Sequence, residues 1–305
     1  MTHEPPTLGE LLERGRLPPC PGARHTWRVL PTGIRVHVAE AGPPDGEPVL
    51  ALHGWPQHWW MWRGLMPALA EDGLRVICPD LRGSGWSSTP PDRDYRKQRM
   101  VDDVCALLDV LRLSYASIIG HDWGGWVGFL LARRAPERVR RLMACSVVAP
   151  WRGARSLSAG DLRFAYQPLL AAPRLGPALL RRPGFVEQMM RRAVAGPSPW
   201  TDGDLASFAD VVRVPDVALA SSLYYRDFLA REVSSLPRLG GTAAGLPMPV
   251  LQVLGARDLV TSRLGSPRGP DPTWKVELVA DCGHFLFDET PALAVRMARS
   301  FLAAS

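Results

Sequence analysis

Six residues, Gly120-His121-Asp122-Trp123-Gly124-Gly125, decide how this chain folds. They follow a short apolar run, Ser117–Gly120, and precede a helical run, Trp126–Ala135. A strand that turns sharply into a helix, with small residues around the turn, is the setting in which enzymes expose a nucleophilic side chain. The alternative, an aspartate that only caps the helix, fits the flanking glycines less well. The stretch therefore predicts a nucleophile elbow with Asp122 at its apex.

Asp122 occupies the position at which esterases with this turn carry serine, and the exchange restricts the reaction. A serine that attacked a saturated carbon would form an ether, which offers water no carbonyl to attack. A carboxylate forms an ester instead, and water can hydrolyse that ester at the enzyme's own carbonyl carbon. Asp122 therefore predicts displacement at an alkyl carbon, as in an epoxide or an alkyl halide.

The rest of the chain predicts an α/β fold. Apolar runs of strand length alternate with helical patterns, which favours a mostly parallel sheet flanked by helices. The alternation stops near Pro150, gives way to helical fragments, and resumes at Val250–Leu254. We expect an N-terminal lead (1–24), an α/β core (25–150 and 247–305) and an inserted helical cap (151–246). The predicted strands are Trp27–Leu30, Ile34–Glu40, Val49–Leu52, Arg75–Cys78, Ser117–Gly120, one near Leu142–Val148, Val250–Leu254 and Lys275–Val279.

An acid and a histidine should follow the nucleophile along the chain. His284 comes just after the last predicted strand, where a histidine is placed to activate water as a general base. Asp258, directly after Val250–Leu254, is the acid expected to orient it. The loop after Leu142–Val148 carries no carboxylate, and Asp281 is too close to His284 along the chain to be preferred.

The loop His53-Gly54-Trp55-Pro56 follows the strand Val49–Leu52 and is the expected source of an oxyanion hole. The backbone N–H groups of Trp55 and Trp123 would together hold the developing oxyanion. The three tryptophans that come next have helical spacing, which is more typical of core packing than of a ligand platform. They are Trp59, Trp60 and Trp62.

At this point the chain resembles the epoxide hydrolases of the α/β-hydrolase fold superfamily, in the Asp-nucleophile branch near the haloalkane dehalogenases. The resemblance covers roughly residues 25–303. It rests on five motifs: His53-Gly54-Trp55-Pro56, Asp80-Leu81-Arg82-Gly83-Ser84-Gly85-Trp86-Ser87, Gly120-His121-Asp122-Trp123-Gly124-Gly125, Gly255-Ala256-Arg257-Asp258 and Asp281-Cys282-Gly283-His284.

The resemblance implies that two cap tyrosines hydrogen-bond and protonate the epoxide oxygen, a task that suits a phenol, which stays neutral at neutral pH. Tyr166, in Phe164-Ala165-Tyr166-Gln167, is similar to the first of them. Tyr225 is similar to the second, because the family tends to have tyrosine followed by arginine there, and Tyr224 is its rival. The expected reaction opens an epoxide to a vicinal diol through an ester on Asp122.

Two other enzymes resemble the chain less closely. A haloalkane dehalogenase would use Trp123 as one halide donor, but Trp55 occupies the position where many of these enzymes carry asparagine. Its second indole would have to come from elsewhere, for example Trp151 or Trp200. A fluoroacetate-type dehalogenase uses arginines where this chain has Trp123 and Trp126.

A catalytically silent ligand-binding protein with the same fold is the alternative from another class. The complete set of Asp122, Asp258 and His284 disfavours it, since binding alone would not need all three. Halide release without diol would favour the dehalogenase, and the absence of both products would favour the binding protein.

Composition limits the partners. The net charge is +6, and 34 of the 36 basic residues are arginines that are scattered rather than clustered, which disfavours nucleic-acid binding. The five cysteines form no CxxC pair, and neither a metal site nor a cofactor motif is visible. The N-terminus does not look like a secretory signal, and the apolar runs are too short to span a membrane. We expect a cytoplasmic enzyme that needs a small apolar epoxide and water and no cofactor; a homodimer is compatible with the sequence.

Overall fold

A computed structural model describes residues 16–153, 166–233, 245–259 and 272–303. Its eight strands form one sheet in the order β1-β2-β4-β3-β5-β6-β7-β8. The pairs β1–β2 and β2–β4 are antiparallel, and the later pairs are parallel. The predicted α/β fold with a mostly parallel sheet is therefore confirmed. The strands are β1 (Arg24–Val29), β2 (Arg35–Ala41), β3 (Pro48–Leu52), β4 (Arg75–Pro79), β5 (Ala116–His121), β6 (Val139–Cys145), β7 (Val250–Gly255) and β8 (Trp274–Val279).

Helices lie between the successive strands from β3 to β7, and the described residues between β6 and β7 contain helices without a strand. The boundaries of the inserted cap, 151–246, stay a prediction, as does the lead, of which residues 1–15 lie outside the described ranges. None of the helices described is long and apolar enough to cross a membrane. The helices are α1 (Leu65–Glu71), α2 (Lys97–Val110), α3 (Trp123–Arg134), α4 (Pro150–Gly153), α5 (Tyr166–Ala171), α6 (Leu175–Leu180), α7 (Phe185–Arg192), α8 (Asp202–Arg213), α9 (Pro215–Asp227), a π-helical turn (Phe228–Glu232), α10 (Leu286–Glu289) and α11 (Pro291–Ala303).

The central strands β3 and β5 bring the two key loops together. Both strands are apolar and buried along most of their length, as expected when helices cover both faces of a parallel sheet. Their register places Leu52 opposite Gly120, so the loops that follow both strands leave the sheet side by side. Helix α3 packs closely against β3 because Gly124 has no side chain: a Cβ there would lie 2.0 Å from the Leu52 carbonyl oxygen.

A buried carboxylate, Asp80, fixes the loop rich in tryptophan that follows β3. It accepts hydrogen bonds from the backbone N–H groups of Trp59 (2.8 Å) and Trp86 (2.9 Å) and from His37 Nδ1 (2.8 Å). Burial opposes the charge, but neighbouring histidines, His37 foremost, lower the pKa of Asp80 below its ordinary range. This anchoring puts Trp59 in the core, together with Trp60 and Trp62, as the sequence predicted.

Two buried histidines should make the fold sensitive to mild acid. Burial lowers the pKa of His58 to about 4 and, together with His284, that of His121 to about 3. Both are neutral in the folded and unfolded chain above pH 6.5, but below it the unfolded chain takes up protons first. Stability is therefore lost as the pH falls from about 6.5 towards 4. Between pH 7 and pH 5 we expect a loss of about 2 kcal/mol for each histidine, measured by urea unfolding.

The neutral variant His58→Gln tests this expectation. Its free energy of unfolding should depend less on pH across the same interval, by about 2 kcal/mol. His284 does not interfere, because its contribution to the pH dependence is the same in the parent chain and in His58→Gln and cancels from the difference between them. A variant with the same pH dependence as the parent chain would contradict the assignment.

Candidate active site

Asp122 lies on a strained turn between β5 and α3. Its backbone has φ 49° and ψ −119°, a conformation that non-glycine residues rarely adopt. The turn is held at both ends: the Asp122 N–H donates to the Cys145 carbonyl oxygen (3.0 Å), and the Trp126 N–H donates to the Asp122 carbonyl oxygen (2.9 Å). Strain of this kind persists only where the surroundings enforce it, and it clusters at functional sites.

The Asp122 carboxylate faces the two backbone amides that the sequence predicted. The Trp55 N–H donates to Asp122 Oδ2 at 3.0 Å, and a backbone hydrogen bond from Trp123 also acts on this carboxylate. Gly54 permits the approach, since a Cβ there would lie 2.5 Å from Asp122 Cβ. Burial raises the pKa of Asp122 above its ordinary value, against the opposing effects of His284 and the two amides.

The structure pairs His284 with Asp258. His284 Nδ1 donates to Asp258 Oδ2 at 3.0 Å, and the Asp258 side chain is buried. The sequence alternative, Asp281, is exposed and pairs with Arg257 instead. Burial works to lower the pKa of His284, but the charges of Asp258 and Asp122 outweigh it and raise that pKa to about 9. His284 is therefore protonated at neutral pH.

Two side chains that the sequence analysis did not assign to the site hold the His284 carbonyl oxygen. His121 Nε2 and Ser146 Oγ each donate to it at 2.7 Å. Ser146 follows β6 directly and has a φ of 55°, again in the region that favours glycine. Because this oxygen is bound from two strand ends, the His284 backbone is fixed relative to the elbow. The place of Ser146 just after a strand is the signal that could have identified it.

A third residue missed in the sequence, Glu289, holds the N–H groups on either side of His284. Its Oε2 accepts from the Gly283 N–H (2.8 Å), and its Oε1 accepts from the Phe285 N–H (2.9 Å). The same Oε2 also accepts from Ala195 N–H at 2.8 Å, in the segment that follows α7. Glu289 therefore ties the histidine loop to the inserted helical segment. A glutamate only five residues after His284 was the available signal.

Asp122 and His284 open onto a cavity of about 450 Å³. Its walls are mainly apolar and aromatic, which is typical of small-molecule sites. No group of three or more histidine, cysteine, aspartate or glutamate side chains within the described ranges is arranged to hold a metal ion. The other lining residues include Trp55, Trp123, Trp126, Val147, Tyr166, Met189, Met190, Tyr225, Phe228, Asp258 and Phe285.

Tyr166 and Tyr225 both line this cavity, whereas Tyr224 does not. The rings of Tyr166 and Tyr225 lie 5.8 Å apart, and a hydrogen bond links the two side chains. The Tyr224 hydroxyl points elsewhere and donates to the Arg82 carbonyl oxygen. Burial raises the pKa of Tyr166 to about 12 and that of Tyr225 well above its ordinary value, so both phenols stay protonated near neutral pH.

A mostly parallel sheet whose strand ends carry Asp122, Asp258 and His284, in that chain order, defines an α/β hydrolase with an aspartate at its elbow. Residues 47–291 match the model of the family described as the alpha/beta hydrolase fold. The chain is 31% identical to the soluble epoxide hydrolase of Corynebacterium sp. (strain C12), over 89% of this chain and 94% of that protein. It therefore belongs to the α/β-hydrolase fold family and, within it, to the epoxide hydrolases.

Two further comparisons cover different shares of the chain. The solved structure of the ligand-free epoxide hydrolase CorEH has a TM-score of 0.77 and 28% identity, and the match covers 92% of this chain and 99% of that chain. A haloalkane dehalogenase from Psychrobacter cryohalolentis is 41% identical, but over only 38% of this chain and 39% of its own length. The two activities therefore share this part of the fold.

The electrostatics predict that the pKa of His284 depends on the charge of Asp122. In the Asp122→Asn variant a negative neighbour is lost, so the protonated imidazole is less stable and its pKa should fall below about 9, by roughly one unit or more. Titration of nitrogen-15-labelled histidine by NMR measures this directly. Asp281→Asn, which removes an exposed carboxylate, is the matched control and should leave the midpoint unchanged. Equal midpoints in parent and Asp122→Asn proteins would refute the coupling.

Proposed function

We propose that this chain hydrolyses a small apolar epoxide to a vicinal diol, with a covalent ester on Asp122 as the intermediate. The observation that carries the proposal is one cavity that brings together a buried carboxylate, two protonated phenols and a histidine paired with an acid. The names of the similar epoxide hydrolases support the same substrate class. Water is the second substrate.

In the first step an oxygen of Asp122 attacks one epoxide carbon and the carbon–oxygen bond of the ring breaks. Oδ2 is held by the Trp55 N–H, so Oδ1 is the oxygen assigned to the attack. The ring oxygen leaves as an alkoxide and takes a proton from Tyr166 or Tyr225. A phenol is suited to this because it is neutral, and therefore still carries its proton, at the pH of the reaction.

The second step begins with a change of charge. Esterification neutralises Asp122 and so removes one of the charges that hold a proton on His284. The pKa of His284 then falls, and its proton passes through solvent to the phenolate that the first step left, which restores the phenol. The neutral imidazole can now accept a proton from water, with Asp258 keeping the ring oriented. The resting enzyme is thus set for alkylation and the ester form for hydrolysis.

Water activated by His284 attacks the carbonyl carbon of the Asp122 ester. The electron pair of the carbonyl moves to Oδ2, where the N–H groups of Trp55 and Trp123 stabilise the oxyanion. Collapse of this tetrahedral species breaks the bond between the carboxyl carbon and Oδ1, which leaves as an oxygen of the diol. The proton of the added hydroxyl passes to this leaving oxygen, and the carboxylate is restored. Loss of one such amide typically costs about 3 kcal/mol of transition-state stabilisation.

Haloalkane dehalogenation is the second candidate, and one observation favours it. The indole N–H groups of Trp55 and Trp123 are buried beside Asp122 and make no hydrogen bond of normal geometry in the described part of the chain. Such donors suit a leaving halide. Epoxide opening is nevertheless preferred, because a leaving halide does not need the proton that the paired phenols of Tyr166 and Tyr225 can donate. A catalytically silent binding protein would require none of these charges in one cavity.

The proposal is tested by supplying styrene oxide and a 1-haloalkane in parallel and measuring diol and halide. We expect diol from the epoxide, with a rate that falls about a hundredfold or more in Tyr225→Phe because the acid is lost. Tyr224→Phe is the matched control on the neighbouring residue and should stay within about threefold, since its hydroxyl binds Arg82 instead.

Formation of halide without diol would contradict the proposal and favour a haloalkane dehalogenase. The absence of both products would favour the binding protein. A larger loss in Tyr224→Phe than in Tyr225→Phe would show that the acid has been assigned to the wrong tyrosine.

A further inference from the structure

Lys97, at the start of α2, is a fully buried cation that the proposed reaction does not use. Its Nζ donates to the Tyr224 carbonyl oxygen at 2.8 Å and pairs with Glu232 Oε2 at 3.3 Å. The chain contains only one other lysine, Lys275, which is exposed on β8. Burial of an ammonium group is costly, so its partners must compensate.

The side chain of Lys97 ends within an aromatic cage next to the active site. Its Nζ lies 4.1 Å from the centre of the Trp123 ring, 5.3 Å from Phe228 and 5.8 Å from Tyr224. A cation over the face of a tryptophan, away from water, is a strong form of this interaction. Lys97 therefore holds the indole of the residue that directly follows Asp122.

The charged groups that act on Lys97 come from three elements. Glu232 lies on the π-helical turn, Asp227 ends α9 and Asp122 is at the elbow. Burial lowers the pKa of Lys97, and these three carboxylates act in the opposite direction. The close Glu232 contact favours the charged form of the lysine.

The Trp123 ring also contacts Tyr225. Their rings lie 5.8 Å apart with an angle of 66° between the ring planes, so the edge of one ring packs against the face of the other. Lys97 also binds the carbonyl of the residue before Tyr225. The Lys97 side chain thus contacts both the indole that packs against this phenol and the backbone of the residue before it.

We propose that Lys97 is a positioning residue for epoxide opening: it fixes the Trp123 indole and the backbone before Tyr225, and so holds the Tyr225 phenol in place as the acid. This inference rests on the proposed function. The phenol must stay aimed at the epoxide oxygen in order to pass on its proton. Lys97 restrains it in two ways, through the Trp123 ring that packs against it and through the backbone of the preceding residue.

A double-mutant cycle separates this role from simple packing. With enzyme in excess over styrene oxide and acid quenching, intact-protein mass spectrometry follows the alkyl-enzyme as it forms and decays. Lys97→Met should slow formation roughly tenfold and leave decay within about twofold. In the Tyr225→Phe background, Lys97→Met should slow formation by less than about twofold, because the acid through which it acts is gone. Lys275→Met, the exposed counterpart, should match the parent chain.

Lys97→Met leaves Glu232 without its cation, so Lys97→Met/Glu232→Gln is used if the single variant does not fold. The same slowing in both Tyr225 backgrounds would reduce Lys97 to a packing role and overturn the inference. So would normal alkylation in Lys97→Met. Absence of diol and alkyl-enzyme from the parent chain would overturn the proposed function, and the inference with it, whereas the other two outcomes leave the proposed function intact.

Discussion

The site depends on one constraint: a carboxylate must stay charged in an apolar cavity at the end of β5. The strained backbone of Asp122 aims the side chain away from the sheet, and the register of β3 with β5 brings the Trp55 amide to its oxygen. Neither feature works without the other. A relaxed turn would point the carboxylate away from the cavity. A carboxylate without the amide and histidine partners would take up a proton more readily, because burial alone raises its pKa.

That constraint explains why charged groups surround the cavity in pairs. His284 balances Asp122 and is itself balanced by Asp258, while Glu289 holds the backbone on both sides of the histidine. Beyond Trp123, the Lys97–Glu232 pair repeats the pattern. Buried ions of this kind add little net stability, so their value lies in fixing geometry and charge for the reaction.

Most of the fold could be predicted from the sequence because its central strands are continuous apolar runs next to glycines, as at Val49–Leu52. Asp122 and His284 could be placed because motif spacing brings them to the carboxyl ends of strands. Tyr224 and Tyr225 could not be separated, since neighbours on a helix point in different directions and only packing fixes the register. Ser146 and Glu289 were missed, although one directly follows a strand and the other lies five residues after His284, because their partners are backbone groups that no side-chain motif records. Lys97 was missed because the rings and the carbonyl that it contacts are remote in sequence.

The central claim, that Asp122 attacks the epoxide, is tested most directly by isotope transfer. One turnover with excess enzyme in oxygen-18 water should give a diol free of the heavy isotope, because the new hydroxyl oxygen comes from the Asp122 carboxylate. The peptide that contains Asp122 should then carry oxygen-18, detected by mass spectrometry. Oxygen-18 in the diol after that single turnover, with none in the peptide, would mean that water attacks the epoxide directly and would contradict the covalent role of Asp122.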